Sequence, residues 1–257
     1  MIDVHCHLEQ PDYDKDRDEV IERAKKELKA VITSCANPKD FDLTLSLVEK
    51  YRGFVFAVAG IHPEYVKEIS EKEKDEFLEK IKSNRENFVG MGEVGLDYNW
   101  LKDEEGRKKQ KELFIEFISF AKEINLPLTI HSRDAHEETI KILDQEDAKQ
   151  VHLHLFGDYH SVKKIIEKRW YVSIGPIVLR SKKYGKVVRD MPLEFLLLET
   201  DAPWNHPLVF SEGKKVRNEP TSIRVVAEKI AEIKKIGFDK VWEECGENAI
   251  KFFNLNL

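Results

Sequence analysis

Short apolar runs alternate with charged segments along the whole chain of 257 residues. The runs are rich in Val, Ile, Leu and Phe, which favours strands that are buried on both faces. They occur at about 2–7, 30–35, 54–61, 88–93, 127–132, 150–156, 170–175 and 195–200. Strands that alternate with helices form parallel βαβ units with right-handed crossovers. Eight such units predict an α/β fold, a (β/α)8 TIM barrel in one domain over 1–257. An open doubly wound sheet is the alternative.

The charged segments carry apolar residues at helical spacing. In 107–124 the apolar stripe is formed by Leu113, Phe114, Phe117, Ile118 and Ala121. The charge-dense stretch 64–87 has an apolar face of Phe77, Leu78 and Ile81, and we interpret its charges as the solvated surface of a helix. Two more helices are predicted over 221–235 and 239–254.

Composition limits the class of protein. The chain has 42 Lys and Arg against 48 Asp and Glu, a net charge of −6, which argues against a broad basic surface that coats nucleic acid. An enzyme that grips only a few phosphates is still compatible with this charge. Cys6, Cys35 and Cys245 are far apart and form no C-x-x-C pair, so we expect no disulfide and a cytoplasmic location. No apolar run reaches the roughly 18–20 residues of a membrane span, and we expect no secretion signal before the first run.

Polar residues follow the apolar runs one after another. His5 and His7 are two apart, so on a strand they point to the same face. Later runs carry further ligand types at or near their ends: Glu93, His131, His154 and Asp201. Because the carboxyl ends of barrel strands meet on one face, we expect all six side chains to converge there.

These six residues are imidazoles and carboxylates, a set that suits Zn, Mn or Fe, and Mg less well. Five or six ligands are too many for one catalytic ion that keeps an open position, and they suit two ions about 3.5–4 Å apart. Glu93 is the predicted bridge, because it is the ligand carboxylate in the middle of the chain order. A hydroxide between two such ions is a nucleophile at neutral pH, and the ions can clamp the oxygens of a phosphate. The glycines of GEVGLDY match neither the dinucleotide fingerprint nor the P-loop.

Several nearby residues have more than one possible role. Arg133 could hold a phosphate bidentately or form a structural salt bridge. We favour Glu199 as a group that orients a ligand rather than a ligand itself. Asp97 and Tyr98 are expected to shape their loop more than to do chemistry. His152 could be a satisfied core residue, a group that orients a ligand, or an alternative ligand.

The remaining polar and aromatic residues are expected to have supporting roles. Trp100 and Trp204 could stack on a base, although loop anchoring is favoured for both. Cys6 should point away from its histidine neighbours and serve packing. Asn218 and Pro220 are expected to order the last loop near the site.

The motifs MIDVHCHL, GIHP, GEVGLDY, HSRDA, HLF and ETDAPW occur in this order. With this spacing the chain resembles the TatD family of metal-dependent deoxyribonucleases, which belongs to the amidohydrolase-like TIM-barrel superfamily. The resemblance runs from residue 2 to the RNEP segment at 217–220 and the helix after it. The HCFSG segment that is usual in the family is replaced by His154-Leu155-Phe156-Gly157-Asp158, and Asn205-His206-Pro207 replaces an apolar stretch. These departures bear on substrate preference more than on metal binding.

The resemblance implies roles for particular residues. One metal would be held by His5, His7, Glu93 and Asp201, and the second by Glu93, His131 and His154. Asp201 would also serve as general base for the attacking water. Asp3 would orient the histidine pair, and His62 would contact the substrate phosphate at the rim.

The predicted function is a nuclease with two divalent ions, Zn, Mn or Mg, that trims single-stranded DNA from the 3′ end. RNA is a possible substrate of the same kind, and no membrane or obligate protein partner is expected. The alternative is hydrolysis of a carboxylic ester, an amide or a phosphotriester, for example an ester that links an amino acid to tRNA. A third hypothesis is a metal-loaded scaffold without activity, against which the complete ligand set argues.

Overall fold

The computed structural model describes residues 1–211 and 216–257, without the side chains of 210 and 211. In this part of the chain eight parallel strands form one sheet, in which each strand pairs with the next along the chain. The strands are β1 (Ile2–Cys6), β2 (Ala30–Cys35), β3 (Val55–Ala59), β4 (Gly90–Asp97), β5 (Leu128–Arg133), β6 (Val151–Leu153), β7 (Tyr171–Ile174) and β8 (Leu196–Leu198).

The two edges of this sheet meet just beyond the ends of β1 and β8. The backbone N–H of His7 donates to the carbonyl of Ala202 at 2.7 Å, and that of Asp201 donates to the carbonyl of His5 at 2.9 Å. The predicted barrel is therefore confirmed, and the open doubly wound sheet is wrong.

Helices connect the strands and pack around the barrel. They are α1 (Arg17–Lys25), α2 (Phe41–Lys50), α3 (Glu71–Ser83), α4 (Glu104–Glu123), α5 (His136–Gln145), α6 (Val162–Lys168), α7 (Lys182–Asp190), α8 (Pro207–Ser211), α9 (Ile223–Lys234) and α10 (Phe238–Phe253). None of the helices in the described ranges is long and apolar enough to cross a membrane. The three cysteines are buried and unpaired.

The helix expected over 64–87 is shorter than its charge pattern suggests. Pro63 begins a separate 3₁₀ turn, and α3 starts only after Ser70. The Ser70 hydroxyl accepts from the backbone of Glu73 while the Glu73 carboxylate accepts from the backbone of Ser70, a capping box that satisfies two free N–H groups. The predicted apolar face, Phe77, Leu78 and Ile81, is buried.

Strand β4 extends further than the apolar run at 88–93. Two glycines allow β4 to lie very close to β5, because a Cβ on Gly92 would come within 2.4 Å of the Thr129 carbonyl oxygen. A Cβ on Gly95, whose φ is +144°, would come within 2.0 Å of the His131 carbonyl oxygen. Glu93 therefore lies inside a strand, beside His131, and not at a strand end as the sequence pattern suggested.

Candidate metal centre

The six candidate ligands lie together at the carboxyl-terminal end of the barrel. Each comes from the end of a strand, from β4, or from the turn that follows a strand. Four of them are buried, and His131 and Asp201 expose only about a seventh of their side chains. The members of this cluster are His5, His7, Glu93, His131, His154 and Asp201.

One half of the cluster surrounds the Oε2 atom of Glu93. The Nε2 atoms of His5 and His7 are 3.1 Å apart, and they lie 3.4 and 3.8 Å from this oxygen. The Oδ1 atom of Asp201 lies 3.7 Å from His5 Nε2 and 3.6 Å from His7 Nε2. We call these four residues the first ligand group.

The other half of the cluster surrounds the Oε1 atom of the same carboxylate. His131 Nδ1 is 2.7 Å and His154 Nε2 is 2.9 Å from Glu93 Oε1. The two imidazole nitrogens are 3.2 Å apart. We call these three residues the second ligand group.

This geometry suits divalent metal ions. Ligand bonds of 2.0–2.1 Å in a tetrahedron place the ligand atoms about 3.3–3.4 Å from one another, close to the separations within the first group. The second group is slightly tighter, and three nitrogen and oxygen atoms there face one point. Both groups combine imidazole with carboxylate, and the single carboxylate of Glu93 offers one oxygen to each.

The electrostatics of the cluster also favour bound cations. Burial works to lower the pKa of His7 and His154, but carboxylates outweigh it and hold both values well above the ordinary one. Asp201 and Glu9 act on His7, and Glu93 and Glu199 act on His154. Burial would raise the pKa of Glu93, yet the surrounding imidazoles hold it well below its usual range. The carboxylates thus favour positive charge strongly enough to overcome desolvation, as a metal site requires.

Three of the imidazoles are backed by a buried carboxylate on their other nitrogen. His7 Nδ1 lies 3.1 Å from Glu9 Oε1, and His131 Nε2 lies 2.9 Å from Asp97 Oδ2. His154 Nδ1 lies 3.5 Å from Glu199 Oε1. Such partners fix the orientation and tautomer of a ligating histidine.

Sequence reasoning missed one of these carboxylates and undervalued another. Glu9 was not singled out, although it follows His7 by two residues and an acid at that spacing was the available signal. Asp97 shapes its loop as predicted, because its Oδ1 accepts from the backbone of Asn99 and Trp100 at 2.9 Å. Its other oxygen faces His131, so its contact with the cluster is direct.

Asp3 orients the backbone and not the rings of the histidine pair. Its side chain is fully buried, and its Oδ1 accepts from the N–H of His5 at 3.3 Å and from that of Thr200 at 3.0 Å. The Thr200 hydroxyl donates to Oδ2 at 2.5 Å. Asp3 therefore connects β1 to the segment after β8 directly beneath the first ligand group.

His62 lies deeper than the rim position that was expected for it. Its Nδ1 accepts from the backbone of Glu64 at 3.2 Å, so Nε2 carries the proton, 3.7 Å from Glu93 Oε1. Burial, with a contribution from His131, lowers the pKa of His62 to about 3. His62 is thus a neutral donor beside the second ligand group.

Asp201 is held by a residue from the segment that departs from the family pattern. Asn205 donates its side-chain N–H to Asp201 Oδ2 at 2.6 Å, while Oδ1 faces the two histidines. Burial opposes ionisation of Asp201, but His7 and His5 outweigh it and hold its pKa below the ordinary value. Asn218 donates to the Thr200 carbonyl at 3.0 Å, so the last loop is tied to the same place as predicted.

His152 lies outside both ligand groups, so it is not an alternative ligand, and both of its ring nitrogens have polar partners. Its Nδ1 is 3.3 Å from the Thr129 hydroxyl, and its Nε2 is 2.6 Å from the Ser173 hydroxyl. Burial holds its pKa well below the ordinary value, so the ring is neutral. Cys6 is also a packing residue, with its thiol directed to the carbonyl of Ile32.

Comparison with known proteins shows the family of the chain. A family model described as TatD related DNase matches residues 2–254. The chain is 38% identical to the metal-dependent hydrolase YabD of Bacillus subtilis over 262 residues, which cover 100% of both proteins. It is 36% identical over 263 residues to deoxyribonuclease TATDN3 of Homo sapiens, covering 98% of this chain and 94% of that protein.

A solved structure supports the same assignment. The TatD homolog YJJV of Escherichia coli matches with a TM-score of 0.89 and 26% sequence identity, over 100% of this chain and 98% of that one. The chain is therefore a metal-dependent hydrolase of ester bonds, and it belongs to the family of TatD-related DNases.

Proposed function

We propose that this chain is a nuclease that hydrolyses phosphodiester bonds, trims single-stranded DNA from the 3′ end, and uses two divalent ions. The observation that carries the proposal is the division of Glu93 between the two ligand groups, with one oxygen facing each. The whole chain, 1–257, would be one hydrolase domain. Its three unpaired cysteines support a reducing, cytoplasmic location.

When bound, two ions would lower the pKa of a water between them and neutralise the phosphate oxygens. Asp201 is the proposed general base. Its pKa lies below the ordinary value, so the carboxylate is ionised at neutral pH and can accept a proton. The hydrogen bond from Asn205 holds one oxygen, which leaves Oδ1 directed at the cluster.

Arg133 and His62 are the proposed contacts to the substrate phosphate. Arg133 ends β5, two residues after His131, and is exposed. It makes no ion pair with any residue of the described ranges, so a structural salt bridge is not supported and its guanidinium is available for an anion. His62 can donate one neutral hydrogen bond from Nε2 beside the second ligand group. Together they would orient a phosphodiester against the cluster.

Two exposed tryptophans support a nucleic-acid substrate. Trp204 is 47% exposed, and its ring lies 4.8 Å from that of His7, between the centroids. Trp100 is 59% exposed in the loop that Asp97 holds. An exposed indole beside the cluster, as Trp204 is, suits stacking on an unpaired base.

The test is digestion of single-stranded DNA labelled at either end, with Mg²⁺, Mn²⁺ or Zn²⁺ added to metal-stripped protein. We expect a metal-dependent ladder that shortens from the 3′ end and is absent in Glu93→Ala. Shortening from the 5′ end, or internal cuts, would contradict the proposed polarity. No cleavage by protein shown to bind two ions would favour the ester or amide hydrolase instead.

A further inference from the structure

His152 is a fully buried imidazole that the proposed reaction does not use. It lies two residues before His154, so the two side chains share one face of the chain at β6. Its ring packs against Phe252 and Phe253 of α10, with centroids 6.1 and 5.8 Å away. Both of its ring nitrogens face hydroxyl groups, of Thr129 and Ser173.

The donor and the acceptor of each hydrogen bond around His152 can be assigned. The Ser173 hydroxyl donates its one proton to Glu199 Oε2, 2.5 Å away. His152 Nε2 must then donate to Ser173 Oγ at 2.6 Å, and His152 Nδ1 accepts from the Thr129 hydroxyl at 3.3 Å. We call Thr129, His152, Ser173 and Glu199 the buried chain.

The buried chain ends at the second ligand group. Glu199 Oε1 lies 3.5 Å from His154 Nδ1, and both atoms are buried without a hydrogen-bond partner in the described ranges, so each is the nearest polar atom available to the other. The Ser173 hydroxyl also accepts from the backbone N–H of Leu155 at 3.3 Å, directly after His154. Ser173 thus holds both the carboxylate behind the His154 ring and the backbone that follows it.

We propose that His152 is a positioning residue for the second ligand group, acting through Ser173 and Glu199 on His154. By fixing Ser173, it keeps Glu199 against His154 Nδ1, which directs the Nε2 lone pair of His154 at the point shared with His131 and Glu93. This inference rests on the two-ion arrangement of the proposed function. His152 itself contacts neither the substrate nor a ligand atom.

The test is titration of metal-stripped protein with Zn²⁺ by calorimetry, with His154→Ala used to identify the binding step of the second ligand group. Partners of metal ligands commonly contribute about 10–100-fold to affinity, and we expect about tenfold weaker binding at this step in His152→Leu and in Ser173→Ala. The other step should change less than about threefold. His152→Gln, whose amide can still donate to Ser173, should restore most of the affinity.

Val172→Ala is the matched control. Val172 neighbours Ser173 in β7, is fully buried, and points to the opposite face of the strand. The cavity should lower the stability to urea, whereas both Zn²⁺ affinities should stay at the wild-type values. Ser173→Ala removes a single oxygen atom and keeps the test usable if His152→Leu does not fold.

The outcomes separate the inference from the function on which it rests. Weaker binding at the second group alone, with recovery in His152→Gln, supports the proposal. Wild-type affinities at both steps in His152→Leu and Ser173→Ala, with reduced stability, would show that His152 only packs and would overturn it. A wild-type protein that binds fewer than two ions would refute the two-ion centre, and the inference would fall with it.

Discussion

Replacing Glu93 by Gln changes the one side chain that the two ligand groups share. The amide keeps the shape of the side chain but has only one oxygen, and its NH₂ group offers no lone pair to a metal. One ligand group therefore loses its ligand atom from residue 93, and the other keeps a neutral amide oxygen in place of a carboxylate oxygen. The two groups meet at this residue, with 2.7 Å to His131 on one side and 3.4 Å to His5 on the other.

The size of the effect follows from ordinary zinc affinities. Four-ligand zinc sites in small peptides contribute about 10–16 kcal/mol, or ~3 kcal/mol for each ligand. Since 1.4 kcal/mol is a factor of ten, loss of one ligand should weaken one ion by about 10²-fold. We expect Glu93→Gln to retain one ion per chain under conditions in which the wild type retains two, and to lose turnover.

Equilibrium dialysis against buffered Zn²⁺ with elemental analysis gives the number of bound ions, and cleavage of labelled single-stranded DNA gives the rate. Glu64→Gln is the control, because it makes the same chemical change 3.5 Å from His62 without touching a candidate ligand. If Glu93→Gln bound two ions within about threefold of the wild-type affinity, the shared-carboxylate arrangement would be wrong.

Four other substitutions or conditions probe different parts of the centre. Asp201→Asn should lower kcat by about 10²–10⁴-fold, the usual range for a general base, while most of the metal stays bound; unchanged turnover would refute its role as base. Asp97→Asn should weaken the second ion by about 10–100-fold in a Zn²⁺ titration, because it weakens the contact with His131, and an unchanged affinity would leave Asp97 a loop residue only. Zn²⁺ affinity should fall as pH is lowered. Burial alone would lower the pKa of His131 and His154, but their carboxylate partners raise both pKa values, so protons begin to compete with Zn²⁺ at a pH above the usual histidine pKa. An affinity that does not change with pH would exclude this competition. Trp204→Ala should raise KM for a single-stranded oligonucleotide by about 5–150-fold, equivalent to ~1–3 kcal/mol of stacking, and should spare a small phosphodiester; equal effects on both would argue against stacking.

The sequence by itself determined the barrel and the membership of the cluster. Strand runs separated by helical segments leave few topologies, and parallel strands bring their carboxyl ends to one face. A histidine or carboxylate in the carboxyl-terminal half of such a strand, or just after it, is then expected near the others, whatever the details of the loops. That is why His5, His7, Glu93, His131, His154 and Asp201 could be placed together before any distance was known.

Only the tertiary structure decided which groups contact the candidate ligands from the side away from the cluster. Spacing along a strand predicts the face of the sheet to which a side chain points. Whether that side chain forms a hydrogen bond depends on donor–acceptor distances, which tertiary packing sets to within tenths of an ångström. Glycines 92 and 95 leave room for β4 to lie close to β5, and Asp97 at the end of β4 lies 2.9 Å from the ring nitrogen of His131. The partners of His152 come from other strands, far away in sequence, so no local pattern could show where that histidine points.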